Sequence, residues 1–168
     1  LKKSALIFFA DMSWVVSETV VTAVYNSRGG PEVVSGMAAG WAIANLFFFV
    51  FPSIHTAIGV IIGGTLGRNE LTEAKRQAQW LKHGVIVLGL LSGLLEAGSI
   101  LLIPLVFSQL TAEARYVAKM LLIVIACCMP IWCFQNAQYA VARAGGDTVM
   151  GAKVDPFVNL CLFMPSIF

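Results

Sequence analysis

The chain has 168 residues, of which 58% are hydrophobic and only 12% charged, and its mean hydropathy is +0.83. This composition excludes a water-soluble domain, which needs more charged residues to cover its surface. The net charge of +2 does not indicate a nucleic-acid partner, because the basic residues lie at the ends of apolar blocks. These blocks are continuous and too long for the alternating strands of an outer-membrane barrel. They predict an all-α integral membrane protein.

We predict a polytopic helix bundle that spans 1–168, with five helices at approximately 4–27, 33–67, 73–107, 114–143 and 154–168. The first four are long enough to cross a bilayer, because roughly 20 apolar helical residues span the hydrocarbon core. The fifth is too short. Because the chain also begins with Leu1 rather than Met, we expect it to be a piece of a longer protein with the last helix truncated.

The first helix carries two carboxylates, Asp11 and Glu18, in a stretch that is otherwise uncharged from Ser4 to Ser27. The two residues are seven positions apart, so they lie two turns apart on nearly the same helix face, which Trp14 shares. A carboxylate at this depth costs several kcal/mol unless it faces protein or a cavity. We therefore expect Asp11, Trp14 and Glu18 to form a cation- or substrate-binding face. The alternative is that the two acids only pair with polar groups of a neighbouring helix.

The second and third helices contain interruptions and small residues. Pro52 removes one backbone hydrogen bond and predicts a kink in the second helix. Gly59, Gly63 and Gly67 follow at intervals of four, which favours close approach of a neighbouring backbone. The third helix repeats this pattern with Gly89, Gly93 and Ala97. Glu96 lies beside that stripe, where a structural hydrogen bond and a role in transport are equally compatible with the sequence.

The fourth helix contains Pro130, followed one to two turns later by Gln135 and Asn136. A break at the proline would free backbone carbonyls, which together with the amides could line a polar cavity for a cation or substrate. The alternative is that the amides form hydrogen bonds between helices, worth about 0.6 to 2 kcal/mol each. We give the two interpretations equal weight.

The distribution of basic residues predicts the orientation of the helices. Eight of the 11 Lys and Arg residues lie on one side of the predicted pattern of spans: Lys2, Lys3, Arg68, Lys75, Arg76, Lys82, Arg143 and Lys153. Cytoplasmic loops carry an excess of Lys and Arg, so this side is predicted to be cytoplasmic. The chain is then a multi-pass protein of the cell membrane with a cytoplasmic N-terminus.

Motifs for catalysis or metal binding are absent from the sequence, so we expect neither an enzyme nor a bound cofactor or metal. The four cysteines Cys127, Cys128, Cys133 and Cys161 lack paired spacing and are expected to be thiols that fill space in apolar helices. His55, three residues after Pro52, is more typical of a hydrogen-bonded residue at a kink than of a binding site.

Several motifs in this order and spacing resemble the multidrug and toxic compound extrusion (MATE) transporters. They are Phe51-Pro52, Gly63-Gly64-Thr65-Leu66-Gly67, Glu73-Ala74-Lys75-Arg76-Gln77-Ala78 and, most specific, Ala142-Arg143-Ala144-Gly145-Gly146-Asp147-Thr148. The similarity extends over essentially the whole chain and corresponds to helices seven to eleven of twelve. It implies a partial C-terminal lobe of a two-lobed transporter, so the N-terminal lobe of the same chain and the lipid bilayer would be partners.

The resemblance implies secondary-active efflux, in which small cationic, amphipathic compounds are exchanged for Na⁺ or H⁺. In some branches of the family an acidic residue on the seventh helix contributes to a cation site, and Asp11 lies close to that position. The aspartate that those branches use in the tenth helix has no counterpart between Met120 and Ala142. The alternative function is a membrane scaffold or channel subunit that does not transport by exchange and whose polar residues serve helix packing.

Overall fold

The computed structural model describes residues 2–147 and positions 154, 157, 158 and 161, with the side chains at 2–7 and 9–11 left out of the description. The described chain is helical and contains no strand, which confirms the all-α class. Its helices are α1 (Lys2–Arg28), α2 (Pro31–Phe48), α3 (Val50–Gly67), α4 (Leu71–Ser99), α5 (Ile103–Val106) and α6 (Ala112–Ala144), with a 3₁₀ turn at Ile100–Leu102.

The helix ends differ by at most two residues from the predicted bounds of the first four helices. The helices begin earlier than predicted because the apolar pattern marks the first apolar residues, whereas the first turn of a helix also accommodates polar residues. Pro31 occupies the first position of α2, where its missing N–H is not needed. Thr111 caps α6 by accepting a hydrogen bond from the Ala114 amide at 3.3 Å. The predicted helix 154–168 falls largely outside the described residues.

The chain divides into two compact units, one comprising Leu1–Pro31 with Gly146–Phe168 and the other Glu32–Gly145. In the first unit, α1 is an unbroken helix of 27 residues. Ser13, Ser17 and Val21 are buried and recur every four residues along it.

The helical run from Pro31 to Gly67 is divided into α2 and α3 at Phe49. Pro52 lies three residues after this point and cannot donate a hydrogen bond to the Phe48 carbonyl, so the predicted interruption near Pro52 is present. Phe48 packs at the break against Trp41, Phe51 and Trp132, with ring centroids 5.3 to 6.0 Å apart. The aromatic rings fill the space that the helix break opens.

A three-residue turn joins α3 to α4. Asn69 adopts a left-handed conformation with φ 62°, which Asn tolerates better than most residues. The buried Thr65 hydroxyl lies 2.8 Å from the Gln77 side-chain oxygen, which ties the end of α3 to the second turn of α4. The two helices therefore form an antiparallel hairpin.

The helix α6 is the centre of the unit. A stripe of mostly small buried residues runs along it: Ala114, Ala118, Leu122, Ile125, Ala126, Met129, Cys133, Ala137 and Ala140. Both α3 and α4 pack on it. The direction of α4 is opposite to that of α6, since Gly89 faces Pro130 and Gly93 faces Ala126.

Close approach of backbones depends on glycines of α2 and α4. A β-carbon added at Gly89 would lie 2.7 Å from the Pro130 Cα, and one added at Gly93 would lie 2.5 Å from the Ala126 carbonyl oxygen. The predicted close packing of the Gly89 and Gly93 stripe is thus present. Gly36 of α2 has the same function, with the Ala114 carbonyl oxygen 2.5 Å from its β-carbon position. Gly36 lies outside the two small-residue stripes from which close packing was predicted.

The Gly59, Gly63 and Gly67 stripe of α3 differs from the one on α4. No described atom lies within 4 Å of the β-carbon position of any of the three. The buried side of α3 is instead the apolar series Ile54, Ile58 and Ile62. Within the described residues, the glycine face of α3 is therefore open.

Three helical segments of the described chain are long and apolar enough to cross a membrane: Pro31–Gly67, Leu71–Val106 and Ala112–Ala144. They agree with the predicted second, third and fourth spans and with a partial polytopic bundle. The helix α1 is not among them, so its membrane crossing remains a prediction.

Candidate functional site

Two of the predicted site residues, Trp14 and Glu18, lie on one concave face of α1. The face is lined by Trp14, Val15, Glu18, Thr19, Thr22, Ala23 and Asn26. The Trp14 ring is 55% exposed, and Glu18 is half-buried. The helix is continuous through these positions, so the four-residue spacing puts Trp14 one turn before Glu18. The structure thus brings the aromatic ring and the carboxylate together.

Asp11 belongs to the same unbroken helix, but its side chain lies outside the described part of the structure. Its backbone position is seven residues before Glu18 and three before Trp14. These intervals correspond to about two turns and one turn of an α-helix. The helical backbone therefore agrees with the spacing on which the prediction of a shared face rests, while the role of Asp11 remains a prediction.

The chemistry of this face suits a cation with an apolar body. A carboxylate attracts positive charge, and the exposed face of a Trp ring attracts cations through its quadrupole. Val15 and Ala23 provide apolar surface, and Thr22 and Asn26 supply polar groups. The face is open and built from one helix, so it is at most one wall of an enclosed site.

Gln135 and Asn136 of α6 point in different directions. Gln135 is exposed, and its amide donates a hydrogen bond to the Tyr139 hydroxyl at 3.2 Å on the same helix. Asn136 is half-buried, with its side-chain oxygen 3.0 Å from the His55 Nε2 of α3. Its amide nitrogen donates to the Trp132 carbonyl at 2.9 Å. Asn136 therefore connects two helices, which is the packing interpretation, whereas Gln135 stays accessible.

The helix α6 is not broken at Pro130, contrary to the interpretation that a break frees carbonyls for a cavity. The α-helix continues without a break from Ala112 to Ala144. Pro130 cannot donate to the carbonyl of Ala126, four residues earlier. That oxygen faces Gly93 of α4, and the absence of a side chain there lets the helices meet. The freed carbonyl therefore lies in a helix–helix contact.

Glu96 of α4 is the residue whose environment the sequence did not resolve. It is fully buried, at 0% exposure, and neither carboxyl oxygen has a hydrogen-bond partner among the described residues. The structural hydrogen bond that the sequence left open is thus absent from this part of the chain. The only signal in the sequence was position, since Glu96 follows Gly89 and Gly93 at helical spacing.

The thiols differ in their surroundings. Cys133 is buried between α4 and α6, in agreement with a space-filling role, whereas Cys127 and Cys161 are exposed. All four cysteines are free. No group of three His, Cys, Asp or Glu residues that could hold a metal ion occurs among the described residues.

Comparison with known proteins identifies the family. The MatE family model matches residues 7–165, which is nearly the whole chain. Neither a curated protein nor a solved structure matches the chain. The members of this family are transporters, and the three apolar spans are those of a membrane protein. The chain belongs to the MatE family, as its motifs predicted, and forms part of a membrane transporter.

Proposed function

We propose that this chain is part of a secondary-active exporter that exchanges cationic, amphipathic compounds for Na⁺ or H⁺ across the cytoplasmic membrane. The observation that carries the proposal is the concave face of α1, where the exposed Trp14 ring lies one turn from Glu18. Membership of the MatE family supports transport, and this face adds a chemical reason for the class of substrate.

The face explains how one surface can serve both the substrate and the coupling ion. An organic cation would place its charge near Glu18 and its apolar body against Trp14 and Val15. Na⁺ or H⁺ would neutralise the same carboxylate when the substrate leaves. Because the two ligands compete for one negative charge, binding of either favours release of the other. This competition is the elementary requirement for antiport.

We infer that the remaining walls of the site come from the N-terminal lobe of the same protein, since α1 supplies one wall. The bilayer is the other partner. The polar residues at the two ends of the second unit support the predicted orientation. Arg68, Lys75 and Arg76 lie at the α3–α4 turn, and Arg143 lies at the nearby end of α6. We propose that this end is cytoplasmic.

One observation favours the alternative function, a scaffold whose polar residues serve packing. Asn136 holds α6 to α3 through His55, and this contact uses the hydrogen-bonding groups of its amide. We therefore assign Asn136 to the framework of the transporter. Gln135 is exposed, so its amide remains a candidate for contact with the transported compound.

The test uses the intact protein in proteoliposomes, with tetraphenylphosphonium as an amphipathic organic cation. We expect Glu18→Gln and Asp11→Asn each to reduce its exchange under a Na⁺ or pH gradient by about tenfold or more. Trp14→Leu should weaken binding of the organic cation but leave the dependence of exchange on the Na⁺ or pH gradient unchanged. The matched control is Glu113→Gln, because Glu113 is an exposed acid in the first turn of α6.

Normal exchange by both Glu18→Gln and Asp11→Asn would remove the acidic face from the mechanism. Loss of protein from the membrane in these variants, with Glu113→Gln unaffected, would favour the packing alternative. Comparison of Na⁺ and pH gradients in the wild type identifies the coupling ion.

A further inference from the structure

The seam between α4 and α6 contains one acidic side chain. The residues of α4 that face α6 follow helical spacing, with Gly89, Gly93 and Glu96 all buried. Gly89 and Gly93 meet the backbone of α6 at Pro130 and Ala126. Since the two helices are antiparallel, Glu96 lies opposite the part of α6 that precedes Ala126. This part contributes the buried apolar residues Leu122 and Ile125.

The carboxyl group of Glu96 has no partner that would stabilise a negative charge. Both oxygens are fully buried and without a hydrogen bond among the described residues. The Ser99 hydroxyl donates at 2.6 Å, but to the backbone carbonyl of Glu96 rather than to its carboxyl group. An isolated carboxylate in such a place costs many kcal/mol, whereas the neutral acid costs far less.

The elements packed on α4 offer no counter-ion at this level. Between Met120 and Ala142, α6 has no Asp, Glu, Lys, Arg or His, and its titratable group in the seam is the Cys133 thiol beside Gly89. The ionisable side chain of α3 nearest this region is His55, which is bonded to Asn136. The segment Ile100–Val106 has none. The basic residue of α6 that comes just before this stretch, Lys119, is exposed, and no described cation bonds to either carboxyl oxygen of Glu96.

We propose that Glu96 is a proton-binding site inside the helix bundle of the second unit, and that its proton is exchanged with water during the transport cycle. Only the second part of this inference, the exchange of the proton during transport, rests on the proposed function. The ligand is a proton rather than a metal cation, because hard cations are held by several oxygen atoms together. No group of three His, Cys, Asp or Glu residues that could hold a metal ion occurs among the described residues, Glu96 included.

The seam gives Glu96 two states. In the closed seam one carboxyl oxygen holds the proton, and the group is a neutral acid among apolar residues. When α4 and α6 separate enough for water to enter, the proton passes to water and the carboxylate is hydrated. The contacts of Gly89 and Gly93 with the α6 backbone favour two discrete arrangements of the helices. In one the backbones are in contact and exclude water, and in the other they are apart and water enters. The step is a proton transfer alone and needs no other reactant.

The first experiment asks whether Glu96 holds a proton and does not depend on transport. The infrared carbonyl band of protonated carboxylic acids is recorded at neutral pH for the intact protein in lipid. We expect this band to lose intensity in Glu96→Gln and to be unchanged in the control Glu113→Gln. An unchanged band in Glu96→Gln would overturn the proposal. Should Glu96→Gln not fold, Glu96→Asp must shift the band, and an unshifted band would overturn the proposal equally.

The second experiment asks whether the proton takes part in the cycle. Glu96→Gln mimics the neutral acid. We expect it to reduce the rate of tetraphenylphosphonium exchange driven by a pH gradient by about tenfold or more. Glu113→Gln should keep it. Exchange at the wild-type rate in Glu96→Gln would make Glu96 a structural acid and overturn its role in transport. Absence of exchange in the wild type under both a Na⁺ and a pH gradient would instead overturn the proposed function, while the infrared result still decides whether Glu96 binds a proton. Exchange driven by Na⁺ alone would overturn the role of the Glu96 proton in transport.

Discussion

At the scale of single residues, glycines decide how closely the helices of the second unit pack. Gly93 and Gly63 have the same chemistry and both lie inside helices, but only Gly93 faces a backbone atom of another helix. The difference arises because α6 lies against one face of α4, while no described residue covers the corresponding face of α3. A small residue is therefore required at Gly93 and optional at Gly63.

We predict that Gly93→Ala destabilises the protein by about 1–3 kcal/mol, because its β-carbon would meet the Ala126 carbonyl oxygen and force the helices apart. Thermal or denaturant unfolding in detergent micelles measures the change. Gly63→Ala is the matched control, and its effect should stay within about 0.5 kcal/mol. Equal losses in the two variants would contradict the assignment of the seam.

The hydrogen bond between His55 and Asn136 is a second contact that depends on single side chains. A double-mutant cycle with His55→Ala and Asn136→Ala should give a coupling energy of about 0.6 kcal/mol, with an upper limit near 2 kcal/mol. The control is a second cycle, which combines Thr56→Ala with Asn136→Ala. Thr56 is exposed and donates a hydrogen bond to the Pro52 carbonyl of its own helix. That cycle should be additive. Additivity in both cycles would show that the bond contributes nothing to stability.

At the scale of helices, the two prolines have opposite consequences. Pro52 lies in the first turn of α3, so the bond that it cannot form coincides with the break at Phe49. Pro130 lies in the middle of α6, where the helix continues because α4 packs against it and Gly93 accommodates the unbonded carbonyl. Tertiary contact therefore overrides the local tendency of Pro130 to interrupt a helix.

The start of α6 depends on Thr111. Its hydroxyl accepts a hydrogen bond from the Ala114 amide and donates one to the Glu32 carboxylate, which joins the first turns of α6 and α2. We predict that Thr111→Ala lowers the free energy of unfolding by about 0.5–2 kcal/mol. Thr111→Ser should retain most of the stability. Thr72→Ala serves as the control, because Thr72 is exposed and lies inside α4 rather than at its cap. An equal loss in Thr72→Ala would contradict the capping role.

At the scale of the whole molecule, the second unit has most of its basic residues at one end. The α3–α4 turn and the end of α6 lie together, since Leu66 and Ala144 pack on the same apolar cluster. The opposite end carries Glu32 and Glu113 together with the basic residues Arg115 and Lys119. This separation is what the positive-inside rule requires of a membrane protein with one basic face.

We predict that the α3–α4 turn is cytoplasmic and the start of α6 external. Single cysteines are introduced at Thr72 or Glu113, both exposed, in a protein whose four native cysteines are replaced by serine. An impermeant thiol reagent added to intact cells should label Glu113→Cys. It should reach Thr72→Cys only after the membrane is made permeable. The reverse pattern would invert the topology and the proposed direction of transport.

The sequence by itself determined the class, the family and the approximate helix bounds, because long uncharged blocks and ordered motifs are properties of the chain alone. It also determined the spacing of Asp11, Trp14 and Glu18, which follows from helix geometry without reference to neighbours.

Only the tertiary structure decided which polar groups have partners. Small residues recur every four positions on both α3 and α4, but within the described residues the stripe on α4 faces another helix and the stripe on α3 does not. Gln135 and Asn136 are adjacent in sequence, but one is exposed and the other joins two helices. The Glu96 carboxyl group has no hydrogen-bond partner among the described residues, although its neighbours in sequence resemble those of a packed helix face. Such differences depend on which helix covers each face, and contacts between residues far apart in the chain determine that arrangement.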